Sequence, residues 1–68
     1  MIITLNNRET NIPEQEEMTV KQLLDHMRYV FPNIVVKVNG TLVRKAQYKE
    51  VVVRNGDTVE AIHMISGG

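Results

Sequence analysis

The sequence predicts a small α+β domain in which a mixed β-sheet packs against one helix. Short segments rich in β-branched residues occur in both halves of the chain, one segment between them has the spacing of an amphipathic helix, and Asn-containing turns separate the strands. The predicted order is ββαβββ, which suits a single helix covering one face of a sheet. The chain has 68 residues, and we expect residues 1–68 to form one domain.

The first two strands are predicted to form a hairpin. Residues 1–5 read as a strand with Ile3 and Leu5 on one face, and residues 8–12 form a second, weaker strand. The two asparagines at positions 6–7 predict the turn between them, because Asn tolerates left-handed backbone angles.

The helix is marked most clearly at its start. The acidic run at residues 14–17 is interpreted as a solvated loop that precedes it. Thr19 is expected to be the N-cap, and Gln22 completes a capping box. The predicted buried stripe consists of Val20, Leu23, Leu24 and Met27. Because Pro32 cannot continue a helix, the helix is expected to end near residues 28–30.

The second half of the chain is predicted to be mainly strands. Residues 34–38 and 41–43 flank Asn39-Gly40, which predicts a two-residue type I′ hairpin turn. The segments that follow are an irregular polar stretch at 44–50, a short strand or packed edge segment at 51–53, a turn at 55–57 and a last strand at 58–65.

Composition excludes several classes of function. Eight basic and eight acidic residues give no net charge, unlike a typical nucleic-acid-binding protein. The absence of cysteine excludes disulfides and thiolate metal sites. His26 and His63 have no neighbours at metal-ligand spacing, so no metal site is expected. No apolar run is long enough to span a membrane and no signal peptide opens the chain, so a soluble cytoplasmic protein is expected.

No catalytic constellation is visible in the sequence. There is no Ser-His-Asp pattern, and turns explain Gly40 and Gly56, so no phosphate-binding loop is predicted. Ser66 lies on a tail that could not hold a nucleophile in place. We therefore expect a substrate or carrier of other enzymes.

One helix cannot cover both faces of a sheet, so the second face is expected to stay partly open. Side chains in the last strand alternate, and both of its faces carry apolar residues. An apolar patch beside the tail would be a docking surface, and the alternative is scattered exposed hydrophobic residues. The candidate docking residues are Ile62, Met64 and Ile65. A basic cluster at Arg44, Lys45 and Lys49 is either a solvated loop or a steering contact for an acidic partner.

The chain ends in Gly67-Gly68. Glycine lacks a Cβ, so this end can thread a narrow slot and present its carboxylate to another enzyme. Ser66 is small enough to follow the two glycines into such a slot.

Three segments in order resemble the ThiS family of sulfur carriers in thiamine biosynthesis. They are Thr19-Val20-Lys21-Gln22-Leu23-Leu24, Val38-Asn39-Gly40, and Asn55-Gly56-Asp57-Thr58-Val59-Glu60 together with the Gly67-Gly68 end. The resemblance covers essentially the whole chain. It implies a ubiquitin-like β-grasp fold.

The resemblance also implies a mechanism. A ubiquitin-activating-type enzyme resembling ThiF would use ATP to adenylate the Gly68 carboxylate. Sulfur mobilised as a persulfide by a cysteine desulfurase would then displace AMP, and a thiazole synthase resembling ThiG would accept sulfur from the resulting thiocarboxylate. The carrier itself would bind no cofactor. Three alternatives stay open: a carrier resembling MoaD for molybdopterin or another sulfur-transfer pathway, a protein modifier joined through Gly68, and a noncovalent binding module.

Overall fold

The computed structural model describes residues 1–29 and 32–64. Its elements are β1 (Ile2–Leu5), β2 (Arg8–Asn11), β3 (Glu17–Thr19), α1 (Val20–His26), β4 (Ile34–Val38), β5 (Thr41–Val43), a 3₁₀ helix (Lys45–Gln47), β6 (Val52–Arg54) and β7 (Thr58–His63). The α+β class predicted from the sequence is confirmed.

Five strands form the main sheet, in the order β2-β1-β7-β4-β5. The first and last strands lie side by side in the middle and run parallel, with Thr4 opposite Thr58 and Leu5 opposite Val59. The other neighbouring pairs in this sheet are antiparallel. The sheet is therefore mixed, as predicted, and its central strand is the one that leads to the C-terminus.

Both predicted hairpin turns have the expected left-handed backbone. Asn6 and Asn7 have φ angles of 51° and 65°, and Asn39 and Gly40 have φ angles of 50° and 81°. Positive φ at both central residues is what a type I′ turn requires, and its twist matches that of the flanking strands.

The predicted start of the helix is confirmed by its hydrogen bonds. The Gln22 N–H donates to Thr19 Oγ1 at 3.1 Å, and the Thr19 N–H donates to Gln22 Oε1 at 2.9 Å. This reciprocal pair is a capping box. Behind it, Val20, Leu23 and Leu24 are buried against the sheet, and Met27 is half-buried.

The helix ends earlier than predicted, at His26. Arg28 takes a left-handed conformation with φ of 60°. Its N–H donates to the Asp25 carbonyl at 3.1 Å, and the Tyr29 N–H donates to the Leu24 carbonyl at 2.8 Å. These two bonds form a Schellman motif, so Arg28 ends the helix before Pro32 could.

The interpretation of the whole acidic run as a loop is wrong at its last residue. Glu17 begins β3, which pairs antiparallel with β6 in a separate two-stranded sheet. Arg54 Nη2 lies 3.7 Å from Glu17 Oε2 across this pair. The short strand expected at 51–53 is present one residue later, as β6.

The core lies between α1 and one face of the main sheet. Its buried residues are Ile3, Leu5, Ile12, Met18, Val20, Leu23, Leu24, Val36, Val43, Tyr48, Val53, Val59 and Ala61. Tyr48 belongs to the stretch that was predicted to be polar and irregular. The 3₁₀ helix before it explains the difference, because this turn brings the tyrosine ring back over the core.

Candidate docking face and tail exit

The last described strand separates a buried face from an open one. Val59 and Ala61 are buried, whereas Ile62 and Met64 are 51% and 53% exposed. The alternation predicted for this strand is confirmed for these residues. His63 lies on the helix side of the alternation and is nevertheless exposed, as is His26 on α1.

Two further apolar residues join the open face. Ile62 lies opposite Val35 on β4, and Leu42 on β5 lies opposite Lys37, one diagonal step from Val35. Val35 is half-buried and Leu42 is 54% exposed. We call this surface the open-face patch, defined as Val35, Leu42, Ile62 and Met64.

Charged residues border the open-face patch along the strands. Lys37 and Glu60 face each other across β4 and β7, on the same side of the sheet. They separate the patch from Ile2, a 48% exposed residue of β1 near the other end of the sheet. The patch therefore lies at the end of the sheet from which the C-terminal residues leave.

The chain is held to the sheet up to Met64. The Met64 N–H donates to the Asn33 carbonyl at 2.7 Å, which extends the β4–β7 pairing beyond His63. The predicted docking residue Ile65 and the predicted tail residues Ser66, Gly67 and Gly68 lie outside the described residues. What the structure provides is the anchored position from which they start.

A side chain on the neighbouring strand also holds β7. The last backbone hydrogen bond from this part of the chain to β7 is made by the Asn6 N–H, which donates to the Val59 carbonyl at 2.9 Å. After it, the chain enters the turn at Asn6 and Asn7 and leaves β7. The Asn6 side chain then continues the ladder: the Ala61 N–H donates to Asn6 Oδ1 at 2.8 Å, and Asn6 Nδ2 donates to the Ala61 carbonyl at 3.1 Å. We call this pair of bonds the Asn6 clamp.

Sequence reasoning missed Val35, Leu42 and Asn6. The first two could have been found from the alternation within their hairpin, because Val36 and Val43 face the core and their neighbours must face away. No local signal marks the Asn6 clamp, since its partner is 55 residues away.

Tyr48 is the one group in the described chain with a clear pKa shift. Burial raises the pKa of the Tyr48 hydroxyl above its usual value of 10.0. The hydroxyl donates to the Ile34 carbonyl at 3.5 Å. The shift has a structural cause, desolvation of the phenol by the core, and no acidic or basic side chain among residues 1–29 and 32–64 forms a hydrogen bond with the hydroxyl.

The described residues contain no cluster of three or more His, Cys, Asp or Glu side chains that could hold a metal ion. None of the helices formed by residues 1–29 and 32–64 has the length and apolar character needed to cross a bilayer. Gly40 and Gly56 have φ angles of 81° and 88°, which confirms that turns account for both.

A mixed sheet packed against one helix, with its last described strand in the centre and parallel to the first, defines the ubiquitin-like β-grasp class. The ThiS family model matches residues 2–68. The chain therefore belongs to the ThiS family, a family of small sulfur carrier proteins.

Solved structures agree with this assignment. A crystal structure of thiamine biosynthesis protein ThiS from Geobacter metallireducens is 25% identical, with a TM-score of 0.90 and full coverage of both chains. A solution structure of a thiamine biosynthesis protein from Geobacter metallireducens is 26% identical, with a TM-score of 0.83. That comparison covers 100% of this chain and 88% of the other. No curated protein sequence matches the chain.

Proposed function

We propose that this protein is the sulfur carrier for thiazole formation in thiamine biosynthesis and that Gly68 carries the sulfur. A free carboxylate is a poor acyl donor, so a ThiF-like enzyme first joins it to the AMP portion of ATP, releasing pyrophosphate. The terminal sulfur of a persulfide, supplied by a cysteine desulfurase, attacks the acyl carbon and expels AMP. A thiol then cleaves the resulting disulfide, which leaves a thiocarboxylate on Gly68.

The observation that carries this proposal is the position of Met64, the last described residue before the Gly67-Gly68 end, within the open-face patch. Met64 is fixed to Asn33 and its side chain belongs to the patch. Four residues follow it, and an extended chain of four residues reaches at most about 14 Å. A partner that docks on the patch can therefore hold its reactive site within about 14 Å of Met64 and receive Gly68 there.

The same geometry supports a division of labour among partners. The described residues supply an exposed apolar surface and no recognisable catalytic group, so the adenylating enzyme would bind ATP and the thiazole synthase would perform ring chemistry. The carrier would bind no cofactor of its own. Because its partners use ATP and a persulfide, we place the protein in the cytoplasm with them.

The first test is the intact mass of the protein after incubation with its ThiF-like enzyme, ATP and a persulfide source. We expect a mass gain equal to replacing one oxygen by one sulfur, mapped to Gly68. Gly68→Val should show no gain and an unchanged circular dichroism spectrum, because the added side chain would crowd the carbonyl in the partner's slot, whereas the buried core residues of the described chain extend only to Ala61.

Two further variants test docking on the patch. Ile62→Asp should raise the concentration of carrier needed for half-maximal adenylation about tenfold or more, as expected for a side chain at the centre of an interface. Ile2→Asp is the matched control, because Ile2 is equally exposed but lies at the other end of the sheet. Equal effects of both variants would contradict docking at the patch. Lysine conjugates through Gly68 would favour the protein-modifier alternative.

A further inference from the structure

A groove runs along the outer edge of the sheet, between α1 and the β4–β5 hairpin. Its volume is about 550 Å³. Its apolar wall includes Leu24 from the helix, Val43 from β5 and the buried ring of Tyr48. The groove also reaches Val35 and Leu42, so it is continuous with the open-face patch. A partner seated on the patch would therefore cover the mouth of this groove.

The rim of the groove carries an excess of positive charge. Lys21 Nζ lies 2.7 Å from Asp25 Oδ1, so these two rim residues neutralise each other. Arg44 and Lys45 also line the groove, and neither forms an ion pair with any residue in 1–29 or 32–64. The rim therefore has two uncompensated positive charges in a chain whose net charge is zero.

The backbone beside the groove has an open edge. Val38 and Thr41 flank the two-residue turn and form a hydrogen-bonded pair, so Leu42 is in a non-hydrogen-bonded pair and directs its N–H and C=O away from β4. No strand among the described residues pairs with that outer side of β5. The open edge ends two residues later at Arg44, because the Arg44 N–H donates to Gln47 Oε1 at 3.0 Å and is not available to a partner strand.

We propose that this groove binds an acidic segment of the adenylating enzyme, which places an apolar side chain in the groove and two carboxylates against Arg44 and Lys45. The inference rests on the proposed function. A segment of this kind meets all three features: the apolar wall, the two unpaired cations and the outward backbone groups of Leu42. A small anion would use only the cations and leave the apolar wall exposed to water.

The test is the dissociation constant of the complex with the ThiF-like enzyme, measured by calorimetry at low salt and at about 1 M salt, where the Debye length falls to about 3 Å. Arg44→Gln combined with Lys45→Gln should weaken binding about tenfold at low salt. The difference from the unchanged protein should largely vanish at high salt, since rim charges act through screened attraction.

Arg8→Glu is the matched control. It lowers the net charge from 0 to −2, as the double variant does, but Arg8 lies on β2 at the opposite edge of the sheet. Equal weakening by both variants, or none by the double variant, would overturn the inference while leaving the proposed function intact. If the unchanged protein does not bind the enzyme at all, both are overturned.

A second measurement separates a protein segment from a small anion. ATP and inorganic pyrophosphate, each added alone at millimolar concentration to ¹⁵N-labelled protein, should leave the amide resonances of Leu42, Arg44 and Lys45 unchanged. Addition of the enzyme should shift them. Shifts caused by either small anion alone would show that the groove is an anion site and would overturn the proposed occupant.

Discussion

Replacing Asn6 by glycine tests whether the Asn6 clamp holds the strand that leads to the tail. The change removes two hydrogen bonds to Ala61, at 2.8 and 3.1 Å, and leaves the N–H and C=O of a buried residue without those partners. At about 1 kcal/mol for each bond, the free energy of unfolding should fall by about 2 kcal/mol. For a domain of this size, that corresponds to a drop in melting temperature of roughly 8–16 °C.

Glycine is the appropriate replacement because Asn6 has a positive φ, which glycine adopts without strain. Asn7→Gly is the matched control: Asn7 also has a positive φ, and its side chain makes no hydrogen bond to residues 1–29 or 32–64. The assay is thermal unfolding followed by circular dichroism, with hydrogen exchange of the Ala61 amide as a local readout. Melting temperatures of the two variants within about 2 °C of each other would refute the clamp's role.

Two further predictions concern stability. Because burial raises the pKa of Tyr48, the unfolded chain releases this proton at lower pH than the folded chain, so the Tyr48 contribution to stability is complete below pH 10 and falls as the pH rises above it. Urea unfolding at neutral and alkaline pH should therefore show a smaller alkaline loss for Tyr48→Phe than for the unchanged protein, and equal losses would contradict this. Arg28→Gly should raise the free energy of unfolding by about 0.5–1 kcal/mol by removing left-handed strain at the helix end, whereas the control Arg28→Ala keeps that strain and should not. An equal gain in both variants would show that the arginine side chain, rather than the backbone, was responsible.

The features that the sequence predicts well depend on residues close together in the chain. The capping box joins Thr19 to Gln22, and the type I′ turn needs only Asn39 and Gly40. In each case one or two side chains determine the local backbone, whatever packs around them. The exposed positions of Ile62 and Met64 also follow from a short-range rule, the alternation of side chains along a strand.

The features that escape sequence reasoning depend on distant partners. β3 has three residues and begins with Glu17, so it shows no apolar period, and it exists because β6 pairs with it. The left-handed conformation of Arg28 cannot be predicted from the sequence, because arginine has no preference for that conformation. Tyr48 is part of a polar segment of the sequence, and only the fold buries it and places its hydroxyl at the Ile34 carbonyl.

The parallel pairing of β1 with β7 has a consequence for how the protein is made. The strand in the middle of the sheet follows every other described strand in the chain, so neither of its neighbours can complete its pairing until this strand has been synthesised. Long-range pairings of this kind close late and slow the folding of a chain. A nascent or truncated chain that stops before Thr58 lacks β7, the strand that joins the β1–β2 hairpin to the β4–β5 hairpin. Such a chain cannot form the five-stranded sheet. A partner that recognises the open-face patch therefore selects chains in which residues up to Met64 have been synthesised and folded.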